Sequence, residues 1–344
     1  MPADRLQPKE AVAPIRRPGV VHQHQVLGHR ECGNHTVAHS FVRDVGQSTP
    51  PHRSRVLPGD RYARPSPRPG LRFTKSSLWA MTSDKLAALE HENWIAYVTG
   101  VVSCASSATV TRAGGVVTVL TGLPMDWFNQ VLIEREEATA AGVLAGVAQA
   151  RERGDHFVVR LREGIDDRFI PTLTQAGLAP AEEETSMPGM VAFPIDHGAI
   201  AERAAPELEI RRVTDAAGID AHCQVMTAGF GSDPAVALGT ACPDLLERPE
   251  CVVYVGYTDG DPVVSGLGWR TGRTVGVYSI ATIESARRRG YGAAMTARAV
   301  SDGVVAGCDV AALQASEMGR PIYERLGFRT VIRYAAYVDP VPGA

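Results

Sequence analysis

No stretch of this chain stays apolar for the roughly 18–20 residues that a membrane-spanning helix needs. Its first residues also lack the basic-then-apolar pattern of a secretion signal. These absences make a cytoplasmic address the expectation and give no reason to invoke a membrane partner. Cysteine is sparse, at six residues (Cys32, Cys104, Cys223, Cys242, Cys251 and Cys308), widely spaced and with no C-x-x-C pair. That spacing argues against a zinc site and against a disulfide framework, so buried thiols and no metal are expected. Nor is there a strong excess of one charge: 35 Lys+Arg stand against 38 Asp+Glu, a net −3.

The near-balance conceals two unlike regions. Residues 1–80 carry 13 Lys+Arg and 5 Asp+Glu, and the remaining chain carries 22 and 33. An acidic body argues against nucleic acid as its main partner and favours a cationic or amine substrate. In residues 1–80, Pro, Arg, His and Ser recur, as in Arg64-Pro65-Ser66-Pro67-Arg68-Pro69, with neither a helical nor a strand apolar period. Such a segment cannot bury enough surface to offset its ordering entropy, and a disordered basic extension is expected. Composition changes at Met81, where Met-Thr-Ser-Asp-Lys-Leu resembles a native N-terminus with a Ser83 or Asp84 helix cap.

After Met81 the pattern predicts an α/β chain with mixed sheets, in two successive units at 81–197 and 207–340. The first unit opens with a helix near Asp84–Val98 and a hairpin turning on Gly114-Gly115. A strand at Asn129–Ile133, a helix at Ala138–Arg151, a strand at Phe157–Leu161, a helix at Asp166–Gln175 and a strand at Met190–Phe193 follow. In the second unit, Leu208–Val213 is a strand and Asp215 caps a helix towards Phe230, with a further helix near Ala235–Leu246. Strands Val252–Tyr257 and Val263–Arg270 flank an Asp259-Gly260 turn. Strand Thr274–Thr282, helix Tyr291–Val305, strand Val310–Gln314, a short helix opened by Pro321 and closed by Gly327, and strands over Phe328–Val338 complete it.

Chemistry concentrates in Thr282-Ile283-Glu284-Ser285-Ala286-Arg287-Arg288-Arg289-Gly290-Tyr291-Gly292, where an apolar strand runs through Arg-x-x-Gly-x-Gly into an amphipathic helix. Glycines allow close backbone approach, and the first helical turn presents unpaired N–H groups at the positive end of the dipole. Three arginines add charge suited to a pyrophosphate. The segment is neither a P-loop, lacking Gly-Lys-Ser/Thr, nor a complete Gly-x-Gly-x-x-Gly fingerprint.

With Tyr323-Glu324-Arg325-Leu326-Gly327-Phe328 further on, the second unit resembles the GCN5-related N-acetyltransferase (GNAT) superfamily. The resemblance implies acetyl-CoA as co-substrate, with pantetheine paired to the strand ending at Thr282. It implies backbone groups of Ile280, Ala281 and Thr282 polarising the thioester. Arg287, Arg288, Arg289, Gly290, Tyr291 and Gly292 would hold the pyrophosphate, Ser316 would contact pantetheine, and Tyr323 would protonate the departing thiolate. The family pattern has Pro where Glu284 stands and Asn where Ser316 stands. No carboxylate lies within Thr274–Thr282; Glu284, Glu317 and His222 are the nearest candidates for a general base.

The first unit echoes the second without its chemistry. Leu173 takes the place of Tyr323 before Ala176-Gly177-Leu178, and Glu134, Glu136 and Glu137 stand where the arginine–glycine loop would be. Acids at a helix start favour the helix but repel a pyrophosphate. A tandem GNAT-like protein with a degenerate first half is therefore expected, acting as an N-acetyltransferase on an amine of a small molecule or protein, with a homodimer left open. A non-catalytic acyl-CoA sensor or scaffold is the alternative.

Overall fold

The Asp259-Gly260 turn forms as its sequence predicts: both residues take left-handed φ values, 52° and 90°, the combination a type I′ hairpin requires. The computed structural model describes residues 81–181, 186–201, 203, 205–316 and 319–340. The reading of residues 1–80 as a disordered extension, and Glu317 as a candidate base, lie outside them. The Gly114-Gly115 turn is made the same way, at 54° and 75°. Helix α1 spans Ser83–Val101 and is capped by Thr82, whose Oγ1 accepts from the Lys85 amide at 3.3 Å, and not by the expected Ser83 or Asp84.

The first half continues with strands β1 (Thr109–Ala113), β2 (Val116–Leu120) and β3 (Gln130–Ile133), helix α2 (Ala140–Arg153) and strand β4 (Val158–Arg162). Helix α3 (Ile170–Gln175) and strands β5 (Ala179–Pro180) and β6 (Met187–Ala192) close it. A short helix α4 (His197–Ala201) leads to strand β7 (Glu209–Arg212) and helices α5 (Ala216–Phe230) and α6 (Pro234–Leu238). Then come strands β8 (Cys251–Thr258), β9 (Asp261–Thr271) and β10 (Thr274–Thr282), helix α7 (Tyr291–Val305), strand β11 (Val310–Gln314), helix α8 (Arg320–Glu324) and strand β12 (Arg329–Val338). The helix expected over Ala235–Leu246 is broken: it stops at Leu238, and a 3-10 turn begins at Pro243. Gly239 and the proline's missing N–H account for the interruption.

All the strands join one sheet in the order β1-β2-β3-β4-β12-β6-β11-β10-β9-β8-β7, with β5 pairing β12. The two halves repeat a motif. Antiparallel hairpin strands lead to a parallel pair, β3 with β4 in the first half and β10 with β11 in the second, joined across α2 or α7. Each half then borrows its next strand. Strand β12 lies against β4, and β6 lies against β11, both antiparallel. The exchange makes the halves a continuous structure, and β6 and β12 pair with each other at its centre.

Apolar cores form on both faces of the sheet. Helix α7 covers one face of the second half with Met295, Val300 and Ala297 against Val264, Val275 and Leu313. Helices α1 and α5 cover the opposite face with Trp94, Tyr97, Ile219 and Met226 against Leu267, Trp269, Tyr278 and Tyr334. Helix α2 packs Val143 and Val147 on Val131 and Leu161. Fully burying such aliphatic side chains contributes about 1.5–3 kcal/mol apiece. Cys223, Cys251 and Cys308 are buried thiols, but Cys104 and Cys242 form a disulfide, contrary to the sequence expectation. Their 138-residue separation hides the pairing; the fold brings their Cα atoms to 5.3 Å, within disulfide range.

Candidate functional site

Strands β10 and β11 pair for only three residues, Thr274–Gly276 with Val310–Ala312. Beyond Gly276, β10 continues to Thr282 paired with β9 alone, while β11 continues to Gln314 paired with β6. Along Val277–Thr282 the β11-facing edge therefore lacks a strand partner, a place where an extended ligand can complete the ladder. A bulge sits in this stretch: Tyr278 faces Leu267 and Ala281 faces Ser265, so β10 carries one residue too many. The bulge turns on Ser279, at φ 54°, and the Ser265 hydroxyl donates to its carbonyl at 3.0 Å. Ile280, Ala281 and Thr282 follow, Ala281 buried and the other two half-buried.

The strand delivers the chain to the loop before α7. A 3-10 turn spans Glu284–Ala286, Arg288 and Gly290 adopt left-handed φ of 63° and 83°, and α7 begins at Tyr291. Helices α1, α2, α5 and α6 each start on a side-chain cap: Thr82, Thr139, Asp215 and Asp233. The 15-residue α7 starts on Gly290 with no capping side chain, so its first-turn amides remain to be satisfied by solvent or an anion. A Cβ placed on Gly290 would meet nothing within 4 Å. The space above the loop is open.

Arg288 and Arg289 are exposed beside this opening. Arg287 is differently engaged: its guanidinium donates to the carbonyls of Gly229 at 2.8 Å and Thr282 at 3.3 Å. It ties the end of α5 to the end of β10, a role that its place in a basic triplet does not disclose. Tyr291 is buried and donates its hydroxyl to Glu207. Ser316 Oγ accepts from the Gly319 amide at 3.1 Å and shapes the turn into α8.

Tyr323 lies on α8, half-buried, its ring edge-on to Phe328 at 6.1 Å. Burial pushes its hydroxyl up to about 12, so it holds its proton at neutral pH. Glu284 is exposed. His222 is fully buried on α5, with Nδ1 against the Tyr254 carbonyl at 3.1 Å, and desolvation lowers its pKa to about 4. It packs under β8.

Among the described residues, the first half offers no equivalent cradle. The amides of Glu134 and Arg135 both donate to the Gly115 carbonyl, and Thr139 caps α2 through the Gly142 amide. Glu134 is paired with Arg112 at 2.8 Å. The end of β3 is covered by α1, whose His91 Nε2 donates to the Ile133 carbonyl at 2.7 Å. Leu173 is fully buried.

Neither a protein-family model nor a curated protein matches the chain significantly. Solved structures do. A GCN5-related N-acetyltransferase from Kribbella flavida aligns over 74% of this chain and 96% of its own, at 16% identity and a TM-score of 0.55. The GCN5-related glucosamine N-acetyltransferase region of a fungal multi-domain β-N-acetylglucosaminidase aligns over 74% of this chain and 36% of that chain, at 11% identity and a TM-score of 0.50. The chain has the GNAT fold. Within its single sheet the two halves repeat in tandem, each completed by a strand of the other.

Sequence reasoning missed a group of residues beside the point where β10 and β11 part. Helix α1 places Glu90, Asn93 and Tyr97 on one face, the first two fully buried and Tyr97 nearly so. Glu90 accepts from Tyr334 and Gln314, both at 2.5 Å. Asn93 accepts from the Tyr278 hydroxyl at 2.7 Å. Tyr97 stacks on Tyr278 with ring centroids 3.7 Å apart and lies 3.4 Å from Ser279 Oγ. Their i, i+3, i+7 spacing was the available signal, but on a helix with apolar neighbours it reads as a solvated polar stripe.

Proposed function

We propose that the second half binds acetyl-CoA and transfers its acetyl group to an amine by direct attack. One observation carries this reading: the unpartnered β10 edge runs straight into a helix start that has a left-handed glycine, open space and no capping side chain. Extended pantetheine suits the edge, and a pyrophosphate suits the loop amides with Arg288 and Arg289 beside them. Both features occur in the second half, and in the first the corresponding amides are already satisfied.

In the reaction, backbone N–H groups around Ile280–Thr282 would stabilise the charge that develops on the thioester oxygen. The amine nitrogen forms the new bond to the acetyl carbon, and the carbon–sulfur bond breaks. Tyr323, protonated at neutral pH, supplies the proton to the leaving sulfur, and the nitrogen releases its own to water. The Ser316 hydroxyl, which accepts from the Gly319 amide, keeps its own O–H to donate to pantetheine. Arg287 also braces the slot wall through the Gly229 and Thr282 carbonyls.

The acidic balance beyond residue 80 favours a cationic acceptor. Titration calorimetry with acetyl-CoA, followed by an amine-library screen for free thiol, tests the proposal. Binding with turnover supports the enzyme; binding without turnover against any amine would leave an acyl-CoA sensor; absence of binding would refute the site.

A further inference from the structure

The point at which β10 and β11 part is held by a helix from the other half. Gly276 and Ala312 form their last pair. On the face towards α1, the next side chain of β10 is Tyr278 and the next of β11 is Gln314. Tyr278 donates to Asn93 at 2.7 Å, and Gln314 donates to Glu90 at 2.5 Å. Successive turns of α1 therefore take hold of the two strands at equivalent positions, two residues beyond the last pair. Asn93 also donates to the Trp269 carbonyl at 3.0 Å and Thr271 Oγ1 at 3.2 Å, and Glu90 accepts from Tyr334 at 2.5 Å. Each grip is thus anchored to a second strand, β9 on one side and β12 on the other.

The helix is seated close enough to exclude side chains beneath it. A Cβ on Gly276 would lie 1.9 Å from Asn93 Oδ1, and one on Gly189 of β6 would lie 2.5 Å from Glu90 Oε1. Apolar packing alone would cover the sheet more cheaply than a fully buried carboxylate. Directional bonds do something packing does not: they fix where each strand end points. We propose that α1 is a spreader, with Glu90 and Asn93 as positioning residues that set the opening of the β10–β11 slot for acyl-CoA. The first half then contributes to co-substrate binding without touching the co-substrate. This inference rests on the reading of that slot given under Proposed function.

Acetyl-CoA titration calorimetry on the full chain tests it, alongside melting temperature. Tyr278→Phe removes the bond to Asn93 with almost no change of volume, and Glu90→Leu removes both acceptors offered to Gln314 and Tyr334. Each is expected to weaken acetyl-CoA binding about tenfold, the effect of losing roughly one hydrogen bond's worth of preorganisation. Glu90→Gln, which can still accept from Gln314 and donate to Tyr334, should restore affinity to near the wild-type value. Val143→Ala, in the α2 core far from the slot, serves as the control: it should lower the melting temperature and leave affinity unchanged. If Glu90→Leu fails to fold, Tyr278→Phe decides the matter. Wild-type affinity in Tyr278→Phe, or a loss in Val143→Ala that matches its destabilisation, would overturn the spreader role while leaving the acetyl-CoA site intact. A wild-type chain that does not bind acetyl-CoA would overturn the functional reading itself.

Discussion

Replacing Glu90 by Gln should stabilise the protein at neutral and alkaline pH, and the gain should vanish in acid. Desolvation raises the Glu90 pKa from 4.5 to about 7, against the lowering effect of the Tyr334 and Gln314 hydrogen bonds. In the unfolded chain the carboxyl ionises near 4.5; in the folded chain it keeps its proton until about 7. Between those values the unfolded state binds fewer protons, so raising the pH favours unfolding. Keeping the proton up to about 7 instead of 4.5 corresponds to about 3 kcal/mol lost across that window, with little change outside it. A neutral glutamine side chain carries no such cost.

The protonated state also satisfies the neighbouring groups. His91 Nε2 donates to the Ile133 carbonyl, so neutral His91 presents Nδ1 as an acceptor 3.0 Å from Tyr334. Protonated Glu90 can donate to Tyr334, freeing the Tyr334 proton for His91; the amide introduced by Glu90→Gln can do the same. The groups facing this cluster are Tyr334 of β12, Tyr278 of β10, His91 of α1 and the buried Arg162–Asp166 pair beside His91. His91 and His222 slope the other way. Burial holds both near 4, so their contribution to stability is present above about 6.5 and is lost as pH falls towards 4. Urea unfolding of wild type and Glu90→Gln at closely spaced pH values from 4.5 to 8.5 separates these effects, because the difference between the two proteins retains chiefly the Glu90 contribution. A difference that does not change with pH would refute the reasoning and mean that Glu90 is charged or solvated in the native state.

Tyr323→Phe should lower kcat by roughly tenfold or more with acetyl-CoA affinity nearly unchanged, since it removes a proton donor and little surface; full kcat would remove Tyr323 from the mechanism. Gly290→Asp should abolish acetyl-CoA binding in calorimetry, because it adds charge and a side chain at a residue with φ 83° in the open cradle; tight binding would show the loop is misassigned. Wild type should bind one acetyl-CoA per chain, and two equivalent sites would mean that the first half is a working domain. Cys104→Ser should destabilise the oxidised protein by up to about 5 kcal/mol, the chain-entropy value for a link closing so long a loop, and should match wild type under reducing conditions. Equal unfolding midpoints without reductant would show that the pair is not bonded in solution.

Local pattern determined the parts that depend only on near neighbours along the chain. Strand Thr274–Thr282 and helix Tyr291–Val305 form over the residues their apolar periods predict, and the Asp259-Gly260 and Gly114-Gly115 turns form because their φ values suit those residues. The arginine–glycine loop was legible too, since an uncapped helix start is written in the residues that precede it. What tertiary structure alone decided is which segments meet. Period-two alternation says that a strand has a buried face and nothing about the strand beside it, so the exchange of β6 and β12 between the halves was invisible. The contact of Arg287 with the Gly229 carbonyl, 58 residues away, was equally out of reach of local pattern. Cys104 and Cys242 are separated by 138 residues, and no spacing rule reaches that far. Polarity is encoded locally and burial is not, so the residues around Glu90 and Asn93 do not show that both are buried. Only when β10, β11 and β12 close over α1 do those side chains lose their water and take Tyr278, Gln314 and Tyr334 in its place.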